Sequence, residues 1–174
     1  CQDRSFNFAH LDINNGLSHN QVNCIYKDSR GYMWFGTMSG LNRFNGYTFT
    51  QYRHNPDDSA SINDSYINTI KEDHLGRLWI NTRTGLTIYD PEKETFSDNI
   101  GSYLRDMHIP AGTVSDIYLD KEGFLWLILP GQGILRYDVD GHSYKKLHHD
   151  ASDSGSLVSD DVSAFIQDNE GDFW

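Results

Sequence analysis

Basic residues are scarce in this chain: Lys and Arg number 14 against 25 Asp and Glu, a net charge of −11 over 174 residues. A surface of that sign repels phosphate backbones and anionic lipid headgroups, so nucleic acid is excluded as an expected partner of this chain. Cysteine is nearly absent. Cys1 and Cys24 are too few for the disulfide framework of a small secreted domain, and their spacing suits no zinc site, so neither metal nor cofactor is expected. Cys24 lies in an apolar stretch and reads as a small buried hydrophobe; Cys1 is compatible with a processed terminus. Long hydrophobic runs are missing too. The longest, Phe124 to Leu129, falls far short of the ~20 residues that cross a bilayer as a helix, and the start shows no basic stretch leading into an apolar one. No membrane segment is expected in this chain.

What the chain does have is a repeat. The phrase Asp-x-x-Gly-x-x-Trp occurs four times, as Asp28, Gly31 and Trp34, as Asp73, Gly76 and Trp79, as Asp120, Gly123 and Trp126, and as Asp168, Gly171 and Trp174. The tryptophans are 45, 47 and 48 residues apart, the period of a small β unit repeated along a chain. Before each phrase stands a run rich in β-branched and apolar residues, at Val22 to Tyr26, Ile67 to Ile70, Val114 to Leu119 and Val162 to Ile166. A second run follows the glycine at Tyr32 to Thr37, Arg77 to Thr82 and Phe124 to Leu129. Each unit therefore opens with a hairpin, whose turn uses Asp to cap backbone N–H groups and Gly to take a positive φ.

A third strand follows Gly40, Gly85 and Gly133, and a fourth runs around Phe49, Phe96 and Tyr144. Four antiparallel strands per unit make a propeller blade, so the fold class expected is all-β, a β-propeller of which this chain holds three complete repeats and the start of a fourth. The step from the fourth strand to the next unit's first strand is 18 residues each time: Phe49 to Ile67, Phe96 to Val114, Tyr144 to Val162. In two of these links His54, Asp58, Ser61 and Ile62 align with His149, Asp153, Ser156 and Leu157, which reads as a structural loop.

The expected organisation is residues 1–16 as an N-terminal strand that closes the ring with a last blade outside the chain, 17–61 as the first blade, 62–109 as the second, 110–157 as the third, and 158–174 as the first hairpin of a fourth. Phe6 to Leu11 carries the strand reading of the first segment, because Phe8 and Leu11 are spaced like Phe49 and Tyr52. Blade faces without neighbours imply further blades of a longer protein, or association with a second copy as a homodimer. A terminal unit cut inside its hairpin is expected to fray.

A tryptophan repeated once per blade inside an apolar strand is inter-blade packing before it is a sugar platform, and the repeated aspartates are turn caps before they are ligands or acids. Ligand candidates are instead polar residues that break the repeat. With the first strand innermost, the loops entering it and the turns between second and third strands share one rim, opposite the Asp-x-x-Gly turns. That rim gathers His19, Asn20, Ser39, Asn63, Asp64, Arg83 and Gln132, whose amides, hydroxyl and guanidinium suit a hydroxyl-rich ligand. A glycosidase or lyase requires two carboxyl groups converging ~5–10 Å apart across a sugar site. The acids here lie mainly in turns and loops, so catalysis is not expected of this chain. A protein-interaction scaffold using the same rim is the alternative to a ligand sensor.

The stretches Gly16-Leu17-Ser18, Asp28 through Trp34-Phe35-Gly36-Thr37, and Gly40-Leu41-Asn42-Arg43-Phe44 together resemble the two-component regulator propeller repeat. The second unit keeps Trp79, Thr82 and Gly85-Leu86 but has Asn81 in place of Gly36, and the third departs further with Leu127-Ile128-Leu129-Pro130. The resemblance implies the beginning of a periplasmic sensor domain from a Bacteroides-type hybrid two-component histidine kinase. It also implies an oligosaccharide as signal, control of glycan-utilisation genes as output, and downstream sensor, membrane and kinase domains outside this chain.

Overall fold

The computed structural model describes residues 8–97, 114–141 and 143–174. Cys1, Phe6 and the link at 98–113 lie outside the described residues. Among the described residues, twelve strands form three four-stranded antiparallel sheets. The first blade is β1 (Val22–Lys27), β2 (Met33–Thr37), β3 (Gly40–Phe44) and β4 (Phe49–Tyr52). The second is β5 (Ile67–Glu72), β6 (Leu78–Thr82), β7 (Gly85–Asp90) and β8 (Thr95–Ser97). The third is β9 (Asp116–Leu119), β10 (Leu125–Leu129), β11 (Gly133–Asp138) and β12 (Ser143–Leu147). Each sheet is a meander in chain order, and β5 lies beside β1 on one side and β9 on the other, so the first strands are innermost.

The hairpin turns follow from the repeated phrase. Asp28 Oδ1 accepts the Tyr32 N–H at 2.8 Å, Asp73 Oδ1 the Arg77 N–H at 2.9 Å and Asp120 Oδ1 the Phe124 N–H at 2.8 Å. Gly31 completes its turn at φ +92°, where a Cβ is strained.

Strand alternation then sorts the side chains into two faces. Trp34, on the next-blade face of β2, packs among Ile67, Ile70, Tyr89 and Phe96 of the second blade; Trp79 packs likewise among Ile117, Leu127 and Tyr137 of the third. The residue after each Trp faces the preceding blade: Ile80 belongs to the first cluster and Leu127 to the second. Ring centroids stand 5.2 Å apart between Trp34 and Tyr89 and 5.8 Å between Trp79 and Tyr137, both edge to face. Each such burial stabilises the stack by about 1.5–3 kcal/mol, and aromatic geometry adds to it.

Gly36 fixes how closely two blades approach. A Cβ there would lie 2.5 Å from Cys24 Sγ and 2.6 Å from Ile67 Cγ2, so β5 seats against β2 only because this position is bare. In the second blade Asn81 fills the equivalent place and donates to the Val114 and Ser115 carbonyls of the third blade at 3.2 and 3.3 Å. Gly36→Ala is expected to destabilise by about 1–3 kcal/mol through overpacking, read as a lowered denaturant midpoint with an unchanged slope. The same burial pushes the Cys24 thiol up to about 11, which keeps it protonated and unreactive.

The preceding-blade face of the first blade is open. Ile25 is 58 % exposed, whereas its counterparts Ile70 and Ile117 are buried. Phe35, half-buried, sits where Ile80 and Leu127 are sealed, and it shares an aromatic cluster with Phe44 and Phe49, at 6.5 and 5.7 Å between centroids.

Two expected strands form no ladder among the described residues, and the ring-closing role of the N-terminal one depends on a blade outside this chain. Phe8 to Leu11 forms no strand; Phe8 is exposed, and the chain instead enters a short 3-10 turn at Ile13–Asn15 capped by Asp12. The segment lies in no sheet because no blade is present for it to join. Val162 to Ile166 carries no ladder either: pairing is limited to the Ile166 and Trp174 backbone groups and the Gln167–Phe173 bridge. Trp174 is 76 % exposed, since no following blade covers it.

Candidate functional site

At the hairpin end, the spacing of six residues from Asp to Trp has a second use. Trp34 Nε1 donates to Asp28 Oδ2 at 2.7 Å, Trp79 to Asp73 at 2.8 Å, Trp126 to Asp120 at 2.7 Å and Trp174 to Asp168 at 2.8 Å. One carboxylate thus holds both its turn and the indole that packs on the next blade. In the exposed fourth copy the bond from Trp174 is the first cause that lowers the Asp168 carboxyl below its usual range. These aspartates are committed to N–H donors, which leaves little acceptor capacity for chemistry.

The blades are also stitched by cross-blade polar contacts whose partners are not paired by any local pattern. Ser29 donates N–H and Oγ to Glu72 at 2.8 and 2.6 Å. Arg30 meets Glu92 at 3.0 Å and Arg43 meets Glu94 at 2.9 Å; His74 Nε2 lies 3.1 Å from Asp140. Lys121 donates its N–H to Gln167 at 3.0 Å. Such partners are tens of residues apart and meet only once blade spacing is known. The available signal was an acid in the turn after the third strand of the second and third blades, at Glu92, Glu94 and Asp140.

At the opposite end, each first strand is entered through a polar knot. In the first blade Asn42 donates to Ser18 Oγ at 2.8 Å, and Ser18 Oγ lies 2.8 Å from Thr37 Oγ1. In the second, Thr82 donates to Asn63 Oδ1 at 3.0 Å while Asn63 reaches the Leu86 carbonyl at 3.3 Å. Asn63 is thereby occupied in the framework. His19 Nδ1 accepts the Gln21 N–H at 2.9 Å, and its counterpart Asp64 accepts the Tyr66 N–H at 2.8 Å. Asn20 is exposed, with Oδ1 accepting the Ile13 N–H at 3.0 Å.

Asp64 and Arg83 are brought together. The carboxylate, 8 % exposed, lies 3.2 Å from Arg83 Nε, and the Arg side chain is 73 % exposed. A buried anion therefore orients a cation whose outer N–H groups face solvent. Ser39 sits on its turn beside this end with its N–H bonded to Thr37 Oγ1 at 3.1 Å. Gln132, one turn further round, is half-buried and ties its N–H to the Leu129 carbonyl at 2.9 Å. The result is a solvated rim with one positioned guanidinium, flanked by amide and hydroxyl groups.

Two segments, residues 16–39 and 61–84, match the family model for the two component regulator propeller. The first two units are thus similar to the two-component regulator propeller repeat. A histidine kinase of Formosa agariphila is 44 % identical over 63 residues, which is 36 % of this chain and 5 % of that protein. The fold is also that of the extracellular domain of a proposed hybrid two-component system from B. thetaiotaomicron, with TM-score 0.67 at 21 % identity over 94 % of this chain and 21 % of that one. A virginiamycin B lyase from Staphylococcus aureus, bound to quinupristin, is similar with TM-score 0.58 at 17 % identity, over 92 % of this chain and 49 % of the lyase. At such identities the likeness shows the fold alone, and a fold shared by a sensor and a lyase leaves function to the site. The chain spans a small part of the proteins it matches.

Both propeller-repeat matches end at the rim, at Ser39 and at Thr84 beside Arg83. Within them the framework roles of Thr37 and Thr82 coincide, each donating to the carbonyl of the following glycine at 2.8 and 2.7 Å. The rim pair does not: Asp64 and Arg83 stand where the first repeat has His19 and Met38. The structure therefore places repeat-breaking polarity at the ends of the turns, above a repeated frame.

Proposed function

We propose that these blades belong to the extracytoplasmic, periplasmic sensor propeller of a hybrid two-component histidine kinase. Its signal is an oligosaccharide, and its output is transcription of glycan-utilisation genes. The observation that carries this reading is the 44 % identity to a histidine kinase over 63 residues, a length greater than one repeat. The ligand face is the rim, where Arg83 is held by Asp64 and His19, Asn20, Ser39 and Gln132 add hydrogen-bonding groups. A guanidinium fixed in orientation by a buried carboxylate binds vicinal hydroxyls or a sugar carboxylate with little ordering cost. Kinase catalysis resides in other domains of the parent protein, and residues 1–16 complete a last blade that closes the ring. Signalling then runs through packing between domains or protomers, since a ligand shifts only an equilibrium between states that it binds unequally.

Calorimetric titration of the complete sensor domain with plant, host and microbial oligosaccharides tests this. Micromolar binding to one sugar class is expected, weakened about tenfold or more by Arg83→Ala. Silence across the panel, with capture of a protein partner at the same rim, replaces the sensor with an interaction scaffold.

A further inference from the structure

The cation–aromatic stack of the first blade recurs in the third, but only the first is complete. Arg43 lies on β3 directly opposite Trp34, with its guanidinium 5.1 Å from the Tyr32 ring centroid and 5.9 Å from that of Trp34. Arg136 lies on β11 directly opposite Trp126, 3.4 Å from the Phe124 centroid and 5.6 Å from that of Trp126. Phe124 stands two residues before its Trp, as Tyr32 does. The second blade lacks the stack because Ile88 opposes Trp79.

What completes Arg43 comes from the blade that follows it. Glu94, in the turn between β7 and β8, accepts from Arg43 Nη1 at 2.9 Å, and the Tyr89 hydroxyl lies 3.3 Å away. The same turn sends Glu92 to Arg30, and the corresponding turn of the third blade sends Asp140 to His74. At both inter-blade junctions described, then, the turn after a third strand reaches back with an acid to a cationic side chain of the preceding blade. Arg136 Nε, in contrast, is buried with no hydrogen-bond partner among the described residues. A cavity of about 120 Å³ adjoins it, lined by Phe124, Asp138, Tyr144 and Lys145. Asp138 Oδ1 already accepts the Asp140 and Gly141 N–H groups, each at 3.0 Å. An unpaired buried guanidinium nitrogen is costly and asks for an acceptor.

We infer that Arg136 is the receptor for a carboxylate on the turn between the third and fourth strands of the blade that follows. This rests on the reading that the chain is part of a longer propeller. Arg136 faces that blade's side, because Trp126 opposite it packs on Phe165 and Phe173 of the fourth hairpin at 4.8 and 4.7 Å. Lys121 makes the neighbouring tie, donating from Nζ to the Asp168 carbonyl at 2.6 Å. Glu94 stands fifteen residues after Trp79, so the acid belongs about fifteen residues after Trp174.

The test uses the parent sensor domain with its following blade. Arg136→Ala, the turn acid changed to its amide, and the double variant are compared by denaturant unfolding. The expected coupling between the two sites is about tenfold in the unfolding constant, and Arg136→Lys recovers part of it because the charge remains while the planar fork is lost. The amide variant keeps volume and fold, so the comparison survives even if Arg136→Ala folds poorly. Additive effects, or a turn without Asp or Glu, overturn the inference while leaving the sensor reading intact. A parent sequence with no following blade overturns the longer-propeller reading itself.

Discussion

Trp79→Ala in the proposed sensor domain is expected to lose about 3–5 kcal/mol, the range for emptying a large aromatic site. Trp79 is buried between the second and third blades among Leu86, Ile117, Leu127 and Tyr137, and both sheets surround the indole with rigid strands that collapse poorly into a cavity. Against a total stability of about 5–15 kcal/mol for a domain, that loss uncouples the two blades. Denaturant unfolding followed by far-UV circular dichroism reads it, and a broadened or split transition marks the uncoupling. The internal control is Trp174→Ala in the 174-residue chain, expected within about 0.5 kcal/mol because that ring is solvated in this chain. Equal losses at both positions would show that the indole stabilises its own hairpin, with no share from the blade interface.

Asp73→Ala is the second large effect, about 2–4 kcal/mol. The Asp73 side chain is fully buried. It accepts from the Trp79 indole at 2.8 Å, from Arg77 Nε at 2.8 Å and from the Leu75 and Arg77 N–H groups at 3.0 and 2.9 Å. Removing it strands a buried indole N–H, two turn N–H groups and a partly solvated guanidinium. Asp73→Asn retains one carbonyl acceptor and is expected to cost about half as much, by the usual strength difference between charged and neutral acceptors. A thermal melt of both variants checks the order. An Asn variant as unstable as Ala would mean that the bonds at Oδ2, to the indole and to Arg77, dominate over those of the turn.

The division between what the sequence made legible and what it did not follows the length scale of each interaction. Hairpin turns, strand order and the four-strand unit were readable because their determinants are local: Asp28 and Gly31 shape a turn within four residues, and alternation in Met33 to Thr37 sorts faces within five. The Asp–Trp bond was readable in principle from a spacing of six that never varies, yet Asp28 and Trp34 were assigned separate duties because a turn cap spends one oxygen and the second goes unnoticed. Cross-blade partners such as Arg43 and Glu94 were out of reach. Their meeting depends on the rotation and separation of successive sheets, which Gly36 and Asn81 set at different junctions. Of the rim candidates, Asn63 is engaged by the framework and Asp64 is buried beneath Arg83, a distinction that polarity alone does not make. The N-terminal strand reading at Phe8 to Leu11 depends on an edge outside this chain, because a strand exists only where a partner edge does.

In a closed propeller the apolar face of the first blade, with Ile25, Phe35, Phe44 and Phe49, packs against a neighbouring blade. Amide hydrogen exchange of β1 and β2, compared between the 174-residue chain and the complete sensor domain, tests it most directly. Protection of β1 and β2 is expected to rise by at least tenfold in the complete domain, while the already sandwiched β6 changes much less. Equal protection of β1 and β2 in both would contradict it, leaving that face as open surface in the native protein.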